Sequence, residues 1–252
     1  MVGFNWILTL PPSLTAEEFD DWYLGVHTKY AQDAFGIRRY CINRAVADQP
    51  SAATGDVFRV AQEYWDDWDT MVECWNSASG HVLLGDGHVN MGLDQGTLPG
   101  VGLTEETRLP VARPAQFSTI HRGYTAREDG TISKFVAMGL DGEGRDLASW
   151  YPERYGDLGS DPLVRQHVFG TTLGRTIKVG MLSSLPARGQ TSYDWNLELW
   201  FDSNAEALEF LEREPFLSLW TELTASSSDT AAALVRGQEM LVKNVALPHR
   251  DE

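Results

Sequence analysis

The sequence predicts an α+β fold made of two β-α-β-β-α-β repeats, each a four-stranded antiparallel sheet that carries two helices on one face. Two observations predict this fold. Segments with the two-residue period of strands and the 3.6-residue period of helices alternate in the same order twice along the chain. In addition, an aromatic pair in the first helix, Trp22-Tyr23, recurs in the second half as Trp150-Tyr151.

The first repeat is assigned to residues 1–126. Thr15 followed by Glu18 is a capping box that begins a helix, and Gly36 is of the residue type that commonly ends one. The predicted elements are strands 2–10, 37–46, 57–65 and 116–126 and helices 15–34 and 66–76. Residues 77–115 are rich in Gly and Pro and are predicted to be a long irregular insertion, which in a compact domain is usually functional or a linker.

The second repeat is assigned to residues 131–247. The predicted elements are strands 132–140, 164–179, 193–201 and 238–247 and helices 143–157, 204–213 and 216–223. Glu198 and Trp200 align with Glu63 and Trp65 of the first repeat. The two ferredoxin-like repeats are expected to cover each other sheet to sheet, which makes the space between the sheets the natural pocket.

Composition limits the partners and the setting of the protein. The 252 residues carry a net charge of −16, which argues against binding to nucleic acid or to an anionic membrane. No apolar run is long enough to span a bilayer, and the N-terminus does not read as a signal peptide. Cys41 and Cys74 form no disulfide framework, so a cytoplasmic protein is expected. No C-x-x-C or H-E-x-x-H motif occurs, so neither a metal nor another cofactor is expected.

The stretch from residue 19 to residue 40, FDDWYLGVHTKYAQDAFGIRRY, resembles the EthD-like branch of the dimeric α+β barrel proteins. The matching residues are Phe19, Trp22, Tyr23, His27, Gly36 and Tyr40. The resemblance implies a pseudo-dimeric α+β barrel within one chain, whose relatives include cyclases, dehydratases, isomerases, cofactor-independent monooxygenases and haem enzymes. In the second repeat Tyr155 stands in place of the histidine and Pro152 interrupts the helix, so one active cavity or an asymmetric pair is expected.

His27 is the first candidate for catalysis, because an imidazole among aromatic side chains can transfer protons near neutral pH. Tyr30 and His121 are its candidate partners. His121 lies with Thr119 on one face of the predicted strand 116–126. Tyr23 could orient the histidine or contact the substrate. For each of these residues the alternative is a packing role in the core.

Glu63 is the fourth catalytic candidate, since burial would raise the pKa of its carboxyl and make it a usable acid or base at neutral pH. The alternative is an exposed carboxylate at the edge of an acidic protein. The remaining candidates for substrate binding are Asn5, Trp65, His88, Glu198 and Trp200. His81 and His88 lie in the expected insertion, which is interpreted either as a lid that brings a histidine to the pocket or as an exposed loop.

We therefore expect an enzyme that performs cofactor-independent acid–base chemistry on a hydrophobic aromatic or polyketide-like molecule in the barrel cavity, as a lyase or isomerase of the cyclase or dehydratase type. The alternatives are a haem-binding enzyme, for which His167 could supply the ligand, and a non-catalytic protein that binds a small molecule. A homo-oligomer is possible.

Overall fold

Eight antiparallel strands close into a barrel in the computed structural model, which describes residues 2–90, 100–112, 129–172, 191–227 and 229–240. The barrel strands are β1 Val2–Leu8, β2 Arg39–Ala45, β3 Arg59–Trp65, β4 Gly100–Leu109, β5 Asp129–Gly139, β6 Gln166–Thr172, β8 Trp195–Phe201 and β9 Thr230–Met240. The short strand β7, Thr191–Tyr193, pairs in parallel with β4. The α+β barrel that the sequence predicts is confirmed.

The order of strands around the barrel repeats itself. In the first repeat β4 pairs with β1, β1 with β3, and β3 with β2. In the second repeat β9 pairs with β5, β5 with β8, and β8 with β6. The two sheets join through β2–β9 and through β4–β6. One chain therefore supplies both halves of the barrel, and each half has the strand order of a split βαβ unit.

Helices cover the outer face of each sheet. In the first repeat they are α1 Ala16–Trp22, a π-helical turn Tyr23–His27, α2 Thr28–Asp33, α3 Trp68–Asn76 and α4 Ala78–Asn90. In the second they are α5 Leu147–Tyr155, a 3₁₀ turn Gly156–Ser160, α6 Asn204–Leu211 and α7 Phe216–Ala225. None of the helices in the described ranges is long and apolar enough to span a membrane.

The segment 77–115 is not an irregular insertion, as the sequence had suggested. It contains α4 and the fourth strand of the first repeat, β4. The strand expected at 116–126 lies outside the described residues, and the last strand, β9, begins at Thr230 where 238 was expected. The repeat boundaries 1–126 and 131–247 stay a prediction.

The two repeats correspond residue by residue over their second halves. Strand β3 begins at Arg59 and β8 at Trp195, 136 positions later, and both have seven residues. The N-caps of α3 and α6, Asp67 and Ser203, are also 136 positions apart. The counterpart of Glu198 is therefore Gln62, and the counterpart of Glu63 is Leu199. The alignment of Glu198 with Glu63 that the sequence suggested is wrong by one residue.

The described part of the barrel interior holds a buried polar network around Glu198. Gln62 Nε2 donates hydrogen bonds to Glu198 Oε1 and, at 3.1 Å, to Asn5 Oδ1. Lys134 Nζ donates to Gln62 Oε1 at 2.7 Å, and Trp200 Nε1 donates to Glu198 Oε2 at 2.8 Å. Burial raises the pKa of Glu198, but the Lys134 ammonium and these hydrogen bonds outweigh it and hold that pKa below its ordinary value. At this network the space between the sheets is thus occupied by hydrogen-bonded polar side chains, although Asn5 Nδ2 has no partner among the described residues.

Candidate active site

A cavity lies between the outer face of the first sheet and its helices, on the side of the sheet opposite the polar network. Its volume, measured as the space open to the centres of water molecules, is about 30 Å³, which is room for about two waters. The lining residues are Trp6, Leu8, Tyr23, His27, Ala61, Glu63, Trp75, Leu83, Leu84 and Gly87. This cavity belongs to one repeat and does not lie between the two sheets, where a pocket was expected; that second pocket stays a prediction.

The π-helical turn aims Tyr23 and His27 at this cavity. The N–H of Thr28 donates to the carbonyl of Tyr23, five residues earlier, which widens the turn. Tyr23 and His27 are buried at 1% and 6% exposure, whereas Leu24 and Val26 between them are about 40% exposed. The wide turn therefore gives both polar side chains to the interior and leaves apolar side chains outside.

Asp86 of α4 holds the imidazole of His27. Asp86 Oδ2 lies 2.7 Å from His27 Nδ1, while Asp86 Oδ1 accepts hydrogen bonds from Trp22 Nε1 at 3.3 Å and Asn90 Nδ2 at 3.0 Å. Burial raises the pKa of Asp86, but the hydrogen bonds and the charge of His27 outweigh it, so the pKa lies below its ordinary value. An ionised Asp86 accepts a hydrogen bond from Nδ1–H of His27, and in that tautomer the lone pair lies on Nε2.

Glu63 lines the same cavity and is 3% exposed. Burial raises the pKa of its carboxyl to about 8, although a hydrogen bond with the Trp6 side chain lowers it. At neutral pH the group is therefore mostly protonated. Its Oε2 has no hydrogen-bond partner among the described residues, so a donor that is not engaged elsewhere lies in the wall of the cavity.

Tyr23 and Tyr40 form a buried hydroxyl pair beside Glu63. The two hydroxyl oxygens are 3.0 Å apart. Burial raises the pKa of both phenols above the ordinary value, so both stay neutral and can donate. The guanidinium of Arg59, held by Asp20 at 2.7 Å, lies 5.4 Å from the centre of the Tyr23 ring.

The second repeat keeps the framework of this site and changes its chemistry. Tyr151 OH lies 2.8 Å from His167 Nε2, as Tyr23 faces Tyr40 in the first repeat. Tyr155 OH donates to Glu222, as His27 meets Asp86. The remaining counterparts, at the offset of 136 residues, are Leu199 for Glu63, Trp220 for Leu84 and Leu223 for Gly87. Leucines fill the second site, which agrees with the expectation of an asymmetric pair.

The structure brings three of the predicted site residues together at the cavity: His27, Tyr23 and Glu63. Asn5, Glu198 and Trp200 lie on the other side of the sheet, in the polar network. Tyr30 is 37% exposed on α2, away from the cavity, and Trp65 is buried in the core against Trp75 at 5.7 Å between ring centres.

Of the three remaining predicted histidines, the structure describes the side chain of His81 alone. His121 lies outside the described residues, and of His88 the structure describes only the backbone, within α4. His81 is exposed on the same helix. The lid and loop interpretations of this segment are replaced by a helix that packs against the cavity.

His167 does not fit the role of a haem ligand. Its side chain is fully buried, its Nε2 is engaged with Tyr151, and its ring lies 5.6 Å from the ring of Tyr151, which stacks on Phe169 at 3.7 Å. Burial lowers the pKa of His167 to about 4, so it is a neutral core residue at pH 7. Coordination of an iron would require this packing to be broken.

Sequence reasoning missed Asp86, Trp6 and Trp75. Asp86 was hidden because its helix was read as irregular. The sequence did contain a signal for this helix. Leu83 and Gly87 are four residues apart, as are Asp86 and Asn90, and this spacing places each pair on one face of a helix. Trp6 lies on the opposite face of β1 from Asn5, and the sequence alone does not show which of the two faces lines the cavity.

Comparison with known proteins identifies the first repeat. Residues 11–91 match the EthD domain. The chain therefore contains a stretch similar to the EthD domain, which covers about a third of its length. The EthD match includes His27, Glu63 and Asp86 but neither β1 nor the second repeat. No curated protein matches the sequence.

One solved structure shares the fold of nearly the whole chain, and two shorter ones are similar to part of it. An anthrone oxidase-like protein is 13% identical, with a TM-score of 0.62 over 97% of this chain and 94% of that chain. An EthD family protein from Bacillus halodurans is 19% identical, with a TM-score of 0.37 over 42% of this chain and 99% of that chain. A hydroxynitrile lyase from Passiflora edulis is 18% identical, with a TM-score of 0.32 over 47% of this chain and 99% of that chain.

Proposed function

We propose that the protein is an enzyme that moves protons on a small, largely apolar substrate in the cavity of the EthD repeat, without a cofactor. The observation that carries the proposal is the buried pair of His27 and Asp86, 2.7 Å apart, in one cavity with the protonated Glu63. An oriented imidazole base and a buried carboxylic acid in one cavity are the parts that enolisation, elimination and isomerisation require.

In the proposed reaction His27 Nε2 removes a proton from a carbon next to a carbonyl group of the substrate. The C–H electron pair becomes the enolate, and its negative charge develops on the carbonyl oxygen, where Glu63 donates a hydrogen bond. The Asp86 carboxylate stabilises the imidazolium that forms, by the bond to Nδ1. Return of the proton to another atom gives an isomer, and loss of a leaving group gives an elimination product.

The walls of the cavity support an apolar substrate. Two indoles, Trp6 and Trp75, and the leucines Leu83 and Leu84 surround the polar groups. A volume of about 30 Å³ holds only the reacting end of an aromatic or polyketide-like molecule, so a larger substrate requires an outward movement of α4. One positioned base contributes about 10²–10⁴ in rate, and orientation by these walls supplies the rest.

A second candidate is oxidation by molecular oxygen of the carbanion that the same proton removal produces. It is favoured by the likeness to an anthrone oxidase-like protein over 97% of the chain, which supports the fold that such a reaction uses. Both candidates share the first step and the same base.

The test uses a panel of aromatic 1,3-diketones and methoxyphenols. Exchange of the carbon-bound proton is followed by NMR in D₂O, product formation by chromatography, and oxygen uptake with an electrode. The variant His27→Gln is expected to lower proton exchange by about 10²-fold or more, whereas the exposed His81→Gln is its matched control and keeps the wild-type rate. Exchange at the wild-type rate in His27→Gln contradicts the proposal, and oxygen uptake that depends on His27 favours the second candidate. A Soret band in the purified protein would contradict the cofactor-free reaction.

A further inference from the structure

The charges around the cavity limit the charge of its ligand. Among the described residues that line it, none is Lys or Arg, and the titratable ones are Tyr23, His27 and Glu63. Asp86 adds an ionised carboxylate directly behind His27. A carboxylate or phosphate brought into this site would meet no fixed cation and two acidic residues, at a large cost in desolvation.

The oxygen Oε2 of Glu63 requires a polar group on the ligand, although that group must be uncharged. Glu63 interacts with the side chain of Trp6, while its Oε2 has no partner among the described residues although Glu63 is 97% buried, with 3% exposure. A buried polar atom without a partner costs free energy that a ligand with the right group recovers. A protonated carboxyl offers a hydrogen-bond donor, so the group of the ligand that pairs with it is an acceptor oxygen.

From this geometry we propose that the cavity binds uncharged ketone-type compounds, whose carbonyl oxygen accepts a hydrogen bond from Glu63 Oε2, and that it rejects carboxylates of the same shape. Ketones are thus the substrate class of the proposed enzyme. This inference rests on the proposed function, because both use the same cavity. The apolar walls Trp6 and Trp75 contact the hydrocarbon part of the ketone, and His27 lies on the wall shared with its reacting carbon.

Binding of a ketone is then expected to depend on the proton of Glu63. The titratable groups that face Glu63 from neighbouring elements are Tyr23 of the π turn, Tyr40 of β2 and Cys74 of α3, and His27 with Asp86 share its cavity. Burial raises the pKa of both tyrosines, and it raises the pKa of Cys74 to about 12. These three groups therefore stay neutral between pH 6 and pH 9.

The experiment compares acetophenone with benzoate, which has nearly the same shape and a negative charge. Dissociation constants of the full-length protein are measured at pH 6, 7 and 9 by tryptophan fluorescence and by ligand NMR. At pH 7 acetophenone is expected to bind at least tenfold more tightly than benzoate. Between pH 7 and pH 9 the affinity for acetophenone is expected to fall about tenfold. The protonated fraction of Glu63, which has a pKa of about 8, falls about tenfold over the same range.

Two variants at one position separate the donor from the rest of the site. Glu63→Gln keeps an N–H donor that cannot titrate, so acetophenone is expected to bind this variant equally at pH 7 and pH 9. Glu63→Leu installs the residue of the second repeat, Leu199, and is expected to lose at least tenfold in acetophenone affinity while staying folded.

The proposal is overturned if benzoate binds as tightly as acetophenone at pH 7, if wild type and Glu63→Gln have the same pH profile, or if acetophenone does not bind at pH 6. These outcomes are independent of catalysis. Selective ketone binding with no loss of proton exchange in His27→Gln would contradict the proposed function alone, and the reverse result would contradict the ligand class alone.

Discussion

Gly87 of α4 and Leu223 of α7 hold corresponding positions in the two repeats, 136 residues apart. Each residue follows an acidic residue that contacts the first helical segment of its repeat. Asp86 contacts His27 in the first repeat, and Glu222 contacts Tyr155 in the second. Gly87 lines the cavity, whereas Leu223 is fully buried in the core of the second repeat. The absence of a side chain at Gly87 is therefore one reason why the space between sheet and helices is open at this point of the first repeat, whereas Leu223 fills the corresponding point of the second.

Filling this space should abolish ligand binding without unfolding the protein. Gly87→Leu is expected to lower turnover and acetophenone affinity at least tenfold, because the isobutyl group occupies the cavity. The melting temperature should hold or rise, since glycine inside a helix is less favourable than leucine by roughly 0.5–1 kcal/mol. Gly85→Leu on the same helix is the matched control, because a Cβ at Gly85 meets no other atom within 4 Å. Equal loss of activity in both variants would show that α4 is merely disturbed.

Asp86→Asn should lower kcat by about 10²-fold and change KM little. The amide can donate to Nδ1 of His27, which moves the imidazole proton to Nε2 and removes the base from the cavity. Steady-state kinetics over pH 6 to 9 separate this from a folding defect, because circular dichroism should be unchanged. An unchanged kcat would mean that the bond between Asp86 and His27 is only structural.

The periodicity of the sequence was sufficient to predict the barrel, because the same order of strand and helix periods occurs in both repeats. Most strand and helix bounds fall within two or three residues of the prediction, as at β3 and α3. Helix α4 was missed because its glycines are unfavourable for an isolated helix. Packing requires the glycine at one of these positions, because a Cβ at Gly80 would lie 2.1 Å from the carbonyl oxygen of Cys74. Such a tertiary reason cannot be read from local sequence.

The candidate site was predicted in part. The two-residue period groups Glu63 with Trp65 and Glu198 with Trp200 on common strand faces, but it does not say which face meets the helices. The fold turns Glu63 to the helices and Glu198 into the barrel. Two features of the sequence indicate His27. It lies in the EthD-like motif, and the second repeat has no histidine at the corresponding position. Its partner Asp86 required the position of α4.

Glu63→Gln is expected to stabilise the protein increasingly as pH rises. The pKa of Glu63 is raised from 4.5 to about 8 in the folded protein, so its contribution is fully present below pH 4.5 and is lost as pH rises through 8. Glutamine does not ionise in the unfolded chain, so the gain over wild type should be near zero at pH 4.5 and about 3 kcal/mol at pH 7.

Urea unfolding at pH 5, 7 and 8.5 measures this gain as a slope, which separates it from any constant effect of the amide. Glu198→Gln is the contrasting control. Its carboxylate accepts hydrogen bonds from Gln62 and Trp200 and faces the Lys134 ammonium, so its neutralisation removes the negative charge that faces a buried cation and should destabilise the protein at pH 7. A pH-independent difference between Glu63→Gln and wild type would contradict the raised pKa.

His167→Tyr should make the protein more resistant to acid. Burial lowers the pKa of His167 from 6.5 to about 4, so below pH 6.5 the unfolded chain binds a proton that the folded chain does not. Wild-type stability is therefore expected to fall by about 3 kcal/mol from this group as pH drops from 6.5 to 4. The variant recreates in the second repeat the tyrosine pair that Tyr23 and Tyr40 form at 3.0 Å in the first, with no group that titrates in this range. Overpacking would shift its stability by a constant amount, so the decisive quantity is the difference in slope between the two urea-unfolding profiles, and parallel profiles would show that His167 is not the residue that senses acid.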